Sequence, residues 1–231
     1  EVRIVPADAV WKKLGVPPAA GVSLVGYESV NRLSNAGDAP WSPRTGLLSI
    51  WILGMFNATP ETTVAVPIRA GDEAKLGPKV NADYFGQVPP ERLVAEDKAV
   101  FFRADGRYRS KIGFSPARCQ PILGSYDAQA GVLTVVQFTL PKGAKKYVNS
   151  QWKLQEDPFS GDVANSYTDD GKMGSFYELE SSSPAAELAP GQTLEHLHRT
   201  IHLRGNETAL DAVARATLGV GLERIKTALP K

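Results

Sequence analysis

Histidine and cysteine are scarce in this chain of 231 residues, with three of the first and one of the second. A single thiol excludes an internal disulfide framework and a thiolate zinc cluster. Cys119 therefore reads as a small buried hydrophobe. An excess of one charge is also missing: Lys plus Arg number 26 and Asp plus Glu 25, a formal net charge of +1. The short basic run "KGAKK" (142–146) reads as a turn. Both points argue against nucleic acid or an anionic membrane as partner. No apolar run is long enough to span a bilayer, which takes about 20 residues. The longest, "GLLSIWILGMF" (46–56), reads as a buried strand. The sequence has no internal repeat and no low-complexity tract. It begins at Glu1 with no methionine and no signal-like apolar region, so a removed leader or a longer parent chain is expected.

What the chain does have is strand chemistry. After a short helix expected over 4–14, ended by Pro17-Pro18, segments rich in β-branched and aromatic residues follow at short spacing. They are 22–33, 46–56, 62–68, 98–104, 108–115, 120–127, 131–140, 146–154, 175–182 and 193–205. Turn-forming runs such as "ADGR", "DAQAG" and "LAPGQ" separate many of them. With little helix between strands, the pattern predicts an all-β antiparallel sandwich rather than βαβ units. The end changes character: Leu210, Val213, Ala214 and Leu218 recur at helical spacing, with Asn206 or Thr208 as the cap, and Gly219 and Gly221 interrupt the pattern. The division is a helical lead-in (1–20), a sandwich (21–205) and a C-terminal helix packed on it (206–231).

All three histidines fall in "EHLHRTIH" (195–202). His196, His198, Thr200 and His202 share parity, so on a strand they point to one face. Leu197, Ile201 and Leu203 lie on the other and are expected on a core. The histidine face is then expected to look into a groove or at solvent. His-x-His on one strand can reach one metal ion. His202 lies roughly 13 Å beyond His198 at about 3.3 Å per residue, too far to share it. A divalent metal on His196 and His198 would need further ligands, which Glu178 or Glu180 could supply. The plain alternative is a polar sheet surface.

The segment "GSFYELESSSPAAELAPGQTLEHLHRTIHLRG" (174–205) resembles the closing hairpin of galactose mutarotase-like (aldose 1-epimerase) β-supersandwich proteins. The segments "NADYFGQVP", "YRSKIG" and "YVNSQWKLQEDPFSGDVANSYTDDG" resemble a bacterial branch of unknown function in that superfamily. The resemblance covers the chain from about residue 20 onward. It implies an antiparallel β-supersandwich with a short C-terminal helix. Because such proteins are longer, it also implies that this chain corresponds to their C-terminal part, the first strands being absent or on another chain. Export to the periplasm or beyond is the family habit.

The resemblance implies a chemistry as well. Leu179-Glu180-Ser181 stands where the family carries Leu-Glu-Thr, whose glutamate takes the proton of an anomeric hydroxyl while a histidine serves the ring oxygen. Glu180 is the expected base, Glu178 its near rival, and His198 the catalytic histidine candidate. Because the family's histidines come from earlier strands and this chain has none before His196, either a missing N-terminal part supplies the acid, or His196 or His198 has taken another role, or the epimerase reaction is absent. Candidate sugar contacts are Glu178, His196, Arg109, Lys111, Asn149, Gln151, Asp162 and Asn165. Tyr167, Asp169, Asp170, Glu28 and Asn31 are further candidates, and Trp152 reads as core rather than platform. Three functions stay open: a sugar epimerase or mutarotase, a non-catalytic carbohydrate-binding module, and a metal-binding protein.

Overall fold

The computed structural model describes residues 1–151 and 154–230. Its twelve strands are β1 (Val2–Val5), β2 (Ser23–Ser34), β3 (Trp51–Asn57), β4 (Thr62–Pro67), β5 (Leu93–Ala95), β6 (Ala99–Arg103), β7 (Ser110–Phe114), β8 (Ile122–Asp127), β9 (Val132–Phe138), β10 (Ala164–Thr168), β11 (Phe176–Ser182) and β12 (Thr193–Arg204). Four helices accompany them: α1 (Ala7–Leu14), α2 (Glu73–Leu76), α3 (Glu207–Leu218) and α4 (Leu222–Thr227). Eight strands form one sheet in the order β1-β2-β12-β9-β8-β4-β6-β5, and four form a second, β3-β11-β10-β7. Every pairing within them is antiparallel. The all-β antiparallel sandwich with a short C-terminal helix is therefore the observed fold class.

Two apolar layers hold it together. Val64, Val66, Phe102, Ile112, Phe114, Leu123, Val136 and Leu179 fill the space between the sheets. Val10, Trp11, Phe101, Leu133, Val135, Ile201, Leu203, Leu210, Val213 and Ile225 form a second core, where α1, α3 and α4 cover the outer face of the large sheet. Strands with both faces covered lose the usual alternation, and β4 (TTVAVP) is buried at every position. The helices form for local reasons. Val10, Trp11 and Leu14 give α1 one buried stripe, and Gly15 closes it in the left-handed conformation (φ 73°). Asn206 caps α3 by accepting the Ala209 N–H at 2.9 Å. No helix among the described residues is long and apolar enough to cross a membrane.

Several expectations change. The helical lead-in begins with an edge strand, β1, paired to β2. The run 46–56 is a strand only from Trp51, and it lies at the edge of the small sheet with Leu53 and Met55 exposed. Its apolarity belongs to both faces of an edge strand rather than to a core strand. Segment 146–154 forms no regular strand among its described residues; Tyr147 makes one bridge to Ser160. The run "GDVANSYTDDG", outside every strand expected from the sequence, contains β10, an inner strand buried along its whole length. Its Asn, Ser and Thr concealed a strand whose polar side chains have partners inside the protein.

Candidate functional site

The small sheet turns one face toward the large sheet and one away from it. Alternation on β11 places Tyr177, Leu179 and Ser181 inward and Glu178 and Glu180 outward. Register carries the outer face across the sheet. Glu180 lies opposite Asn165 and Leu53, Glu178 opposite Tyr167 and Met55, and Tyr167 opposite Lys111. Residues far apart in the sequence therefore meet on one surface.

At its centre Lys111 donates to Glu180 Oε2 at 2.9 Å. The Trp51 indole N–H donates to the same oxygen at 2.8 Å. The Lys111 ammonium also lies 4.8 Å from the Trp51 ring centroid and 5.3 Å from that of Tyr84, within cation–π range of both. Glu180 is 0% exposed, and its other oxygen, Oε1, has no hydrogen-bond partner among the described residues. Glu178, 7% exposed, is its neighbour on the strand. Burial, reinforced by the charge of Glu180, pushes the Glu178 carboxyl up to about 7. Two adjacent carboxyls thus differ in character: Glu180 is paired with a cation, and Glu178 holds its proton close to neutrality.

A second network adjoins the first. Asp162 Oδ2 accepts from the Tyr84 hydroxyl at 2.6 Å and from Asn81 Nδ2 at 3.2 Å. Asn165 Nδ2 donates to the Tyr84 oxygen at 3.0 Å and to the Ile112 carbonyl at 3.2 Å. Burial pushes the Asp162 carboxyl up to about 6 against the pull of these donors. Gly113 makes the arrangement possible, since a Cβ there would stand 2.1 Å from Asp162 Oδ2 and 2.6 Å from Asn165 Nδ2. On the other flank the Arg109 guanidinium stacks 4.1 Å over the ring of Phe85, which is 48% exposed. Its Nε donates to the Tyr167 hydroxyl at 3.3 Å.

The histidines are elsewhere. His196 Nε2 and His198 Nδ1 each lie 2.8 Å from the Ser181 hydroxyl, between the sheets. The expectation of a groove-facing histidine row beside Glu180 is corrected by parity: Ser181 is next to Glu180 on β11 and points the opposite way. Ser181 has one hydroxyl proton, so one imidazole accepts it and the other donates to the oxygen. Burial lowers both rings to about 4, which keeps them neutral. His198 is therefore not positioned as the acid beside Glu180, and His196 does not reach the outer face. Nor can Glu178 or Glu180 join the two histidines around one ion. Among the described residues no group of three His, Cys, Asp or Glu side chains could hold a metal. His202 is separate again, 3.0 Å from Thr134 Oγ1 and edge-on to Phe56.

The remaining candidates divide. Lys111, Arg109, Asp162, Asn165, Glu178 and Glu180 share the outer face. Asn149 and Gln151 are tied into their own loop, the Gln151 N–H donating to Asn149 Oδ1 at 3.2 Å and Gln155 to both backbone carbonyls. Trp152 lies outside the described residues. Asp169 accepts from Tyr167, Gly171 and Met173 and shapes the β10–β11 turn. Asp170 pairs with Lys172 at the surface. Glu28 is buried on the helix-covered face, held by Arg3 and Arg199, and Asn31 donates to Ser29 and the His196 carbonyl. Cys119 is buried, as expected, and burial raises its thiol far above the ordinary range. The sequence reading missed Trp51, Tyr84, Asn81 and Phe85. For Trp51 a signal existed: it shares parity with Leu53 and Met55, the face that β3 turns outward.

The fold and this surface define an all-β sandwich protein with a carboxyl pair and a buried lysine framed by aromatic rings. The chain belongs to a family of unknown function, DUF6786, whose model matches residues 1–229. No curated protein matches it. Among solved structures it is similar to the Slr1438 protein from Synechocystis sp. PCC 6803, at 14% identity and a TM-score of 0.42, over 79% of this chain and 55% of that one. It is also similar to a provisionally assigned aldose 1-epimerase from Escherichia coli K12, at 13% identity and a TM-score of 0.42, over 81% of this chain and 57% of that one. The chain thus spans a little over half the length of each.

Proposed function

We propose that the outer face of the small sheet binds a carbohydrate and moves protons on it, as a sugar epimerase or mutarotase does. The observation that carries this reading is the Glu178–Glu180 pair, one carboxyl ion-paired and the other pushed up to about 7. A carboxyl raised toward neutrality beside one held in an ion pair gives two neighbouring groups suited to different proton-transfer roles. Glu180 is the base, taking the proton of the anomeric hydroxyl through Oε1. Glu178, in its protonated form, is the acid that serves the ring oxygen, the role that the resemblance gives to a histidine. As the ring opens, one proton leaves the hydroxyl and one reaches the ring oxygen. Closure on the other face of the carbonyl reverses both transfers. The Trp51, Tyr84 and Phe85 rings supply apolar platforms, and Lys111, Asn165 and Arg109 supply polar contacts, the mixture a sugar pocket needs. The resemblance of 174–205 to a mutarotase hairpin supports the same reading.

A second reading, a carbohydrate-binding module without turnover, is favoured by one observation. Glu180 is fully buried and already held by Lys111 and the Trp51 indole, so its carboxylate is committed within the protein.

Anomer exchange measured by NMR on a panel of simple aldoses tests both. Catalysed exchange that is lost in Glu180→Gln supports the enzyme. Saturable binding without exchange supports the module. Neither, with any aldose, overturns both.

A further inference from the structure

Asp162 is 6% exposed, and its Oδ2 is committed to two side chains of this protein, Tyr84 and Asn81. A carboxylate oxygen so committed is poorly placed to receive a ligand hydroxyl, which was its expected role. What it does hold is informative. Asn81 bridges the free edge of β7, its N–H donating to the Gly113 carbonyl at 2.9 Å and its carbonyl accepting the Gly113 N–H at 2.8 Å. That bridge docks the backbone of the segment and leaves the Tyr84 side chain free to rotate. The hydroxyl contacts from Asp162 and Asn165 remove that freedom. The fixed ring then lies 5.3 Å from the Lys111 ammonium, with Trp51 at 4.8 Å as the second wall. Lysine has a flexible four-carbon stem with many rotamers to lose on confinement. A single carboxylate contact does not confine such a group, whereas a carboxylate and two ring faces do.

We infer that Asp162 is a positioning residue that acts through Tyr84, fixing the ring that confines the Lys111 ammonium and thereby the aim of Glu180. Its value to catalysis or binding rests on the proposed carbohydrate site; the linkage itself is a property of the free protein. The site depends on Gly113 for the same reason, because any side chain there would displace Asp162.

The test uses the full chain, isotope-labelled, with no sugar present. Two NMR signals report on the far end of the linkage: the Lys111 side-chain ammonium, shielded by two rings, and the Trp51 indole N–H, bonded to Glu180. Asp162→Ala is expected to move both, the ammonium downfield as the Tyr84 ring swings away. Asp162→Asn keeps an oxygen acceptor for the Tyr84 hydroxyl and is expected to return both toward their wild-type positions. Asp162→Ala that lowers the melting temperature but leaves both signals in place overturns the inference, since a merely structural role would do that. If Asp162→Ala does not fold, Tyr84→Phe removes only the hydroxyl, and unmoved signals in that variant overturn it equally. Failure of every sugar to bind the wild-type protein would sink the carbohydrate reading alone, because these signals are read without ligand.

Discussion

Glu180 and His198 stand on opposite sides of strand β11. The glutamate faces outward with Lys111, while the histidine reaches Ser181, the next residue, from between the sheets. The two side chains do not meet in this fold, and separable roles are expected of them.

Separability gives the first prediction. Glu180→Gln abolishes anomer exchange or, for a binding module, weakens sugar affinity. His198→Gln leaves either function intact and costs stability instead, about 1–3 kcal/mol for a buried hydrogen-bond partner lost. Parallel activity and urea-unfolding measurements check the pair. Loss of function in His198→Gln at wild-type stability would contradict the assignment.

The stability of the site should depend on pH with a definite sign. Glu178 has a folded pKa of about 7 against an ordinary 4.5, so between those values the folded state binds more protons than the unfolded one. Its contribution therefore favours folding at low pH and is lost as the pH rises from about 4.5 to 7. Glu178→Gln is expected to be more stable than wild type at pH 8, with the advantage vanishing near pH 4. It should also lose exchange activity, which identifies the residue as the acid.

The histidines act in the opposite sense. His196 and His198 have folded pKa values of about 4 against 6.5, so the unfolded state binds more protons between them. Their stabilisation is complete above pH 6.5 and is lost as the pH falls toward 4. A His196→Gln/His198→Gln double variant is expected to be less stable at pH 7, with a flatter acid limb. Denaturant unfolding from pH 4 to 8 reads this directly. An acid limb as steep as in wild type would contradict it.

Gly113→Ala is expected to destabilise the protein by about 1–3 kcal/mol, the usual cost of overpacking. A methyl group there collides with the carboxylate of Asp162 rather than with the tip of a mobile surface chain. Thermal melts check the cost. The same variant should move the Trp51 indole signal, since Asp162, Tyr84 and Lys111 connect the two positions.

Much of this was legible in the residues themselves. Alternation put Glu178 and Glu180 on one face and Arg109 and Lys111 on another strand's face, and the structure joins them. The C-terminal helix was equally clear, with Gly219 where spacing placed it and Asn206, one of two expected caps, as the one that forms. Pairing was not legible: nothing in "EHLHRTIH" says that a second sheet will cover its polar face. The sequence also could not show that "ANSYT" is an inner strand, because buried Asn165 and Ser166 satisfy their hydrogen bonds through Tyr84, the Ile112 carbonyl and the Glu178 carbonyl, partners that only the fold brings to them. Trp51 read as core because its run is apolar, and only the register of β3 on β11 turns it toward Glu180.

The most direct test is a sugar titration followed at the Trp51 indole N–H, assigned with a Trp51→Phe variant. Trp51 touches Glu180, whereas Trp41 lines a separate cleft of about 570 Å³ with Asn35, Asp38 and Leu47. The account predicts a saturable shift of the Trp51 signal with at least one simple aldose, abolished in Glu180→Gln. A Trp51 signal that stays fixed while another indole shifts would contradict it and place the sugar elsewhere on the protein.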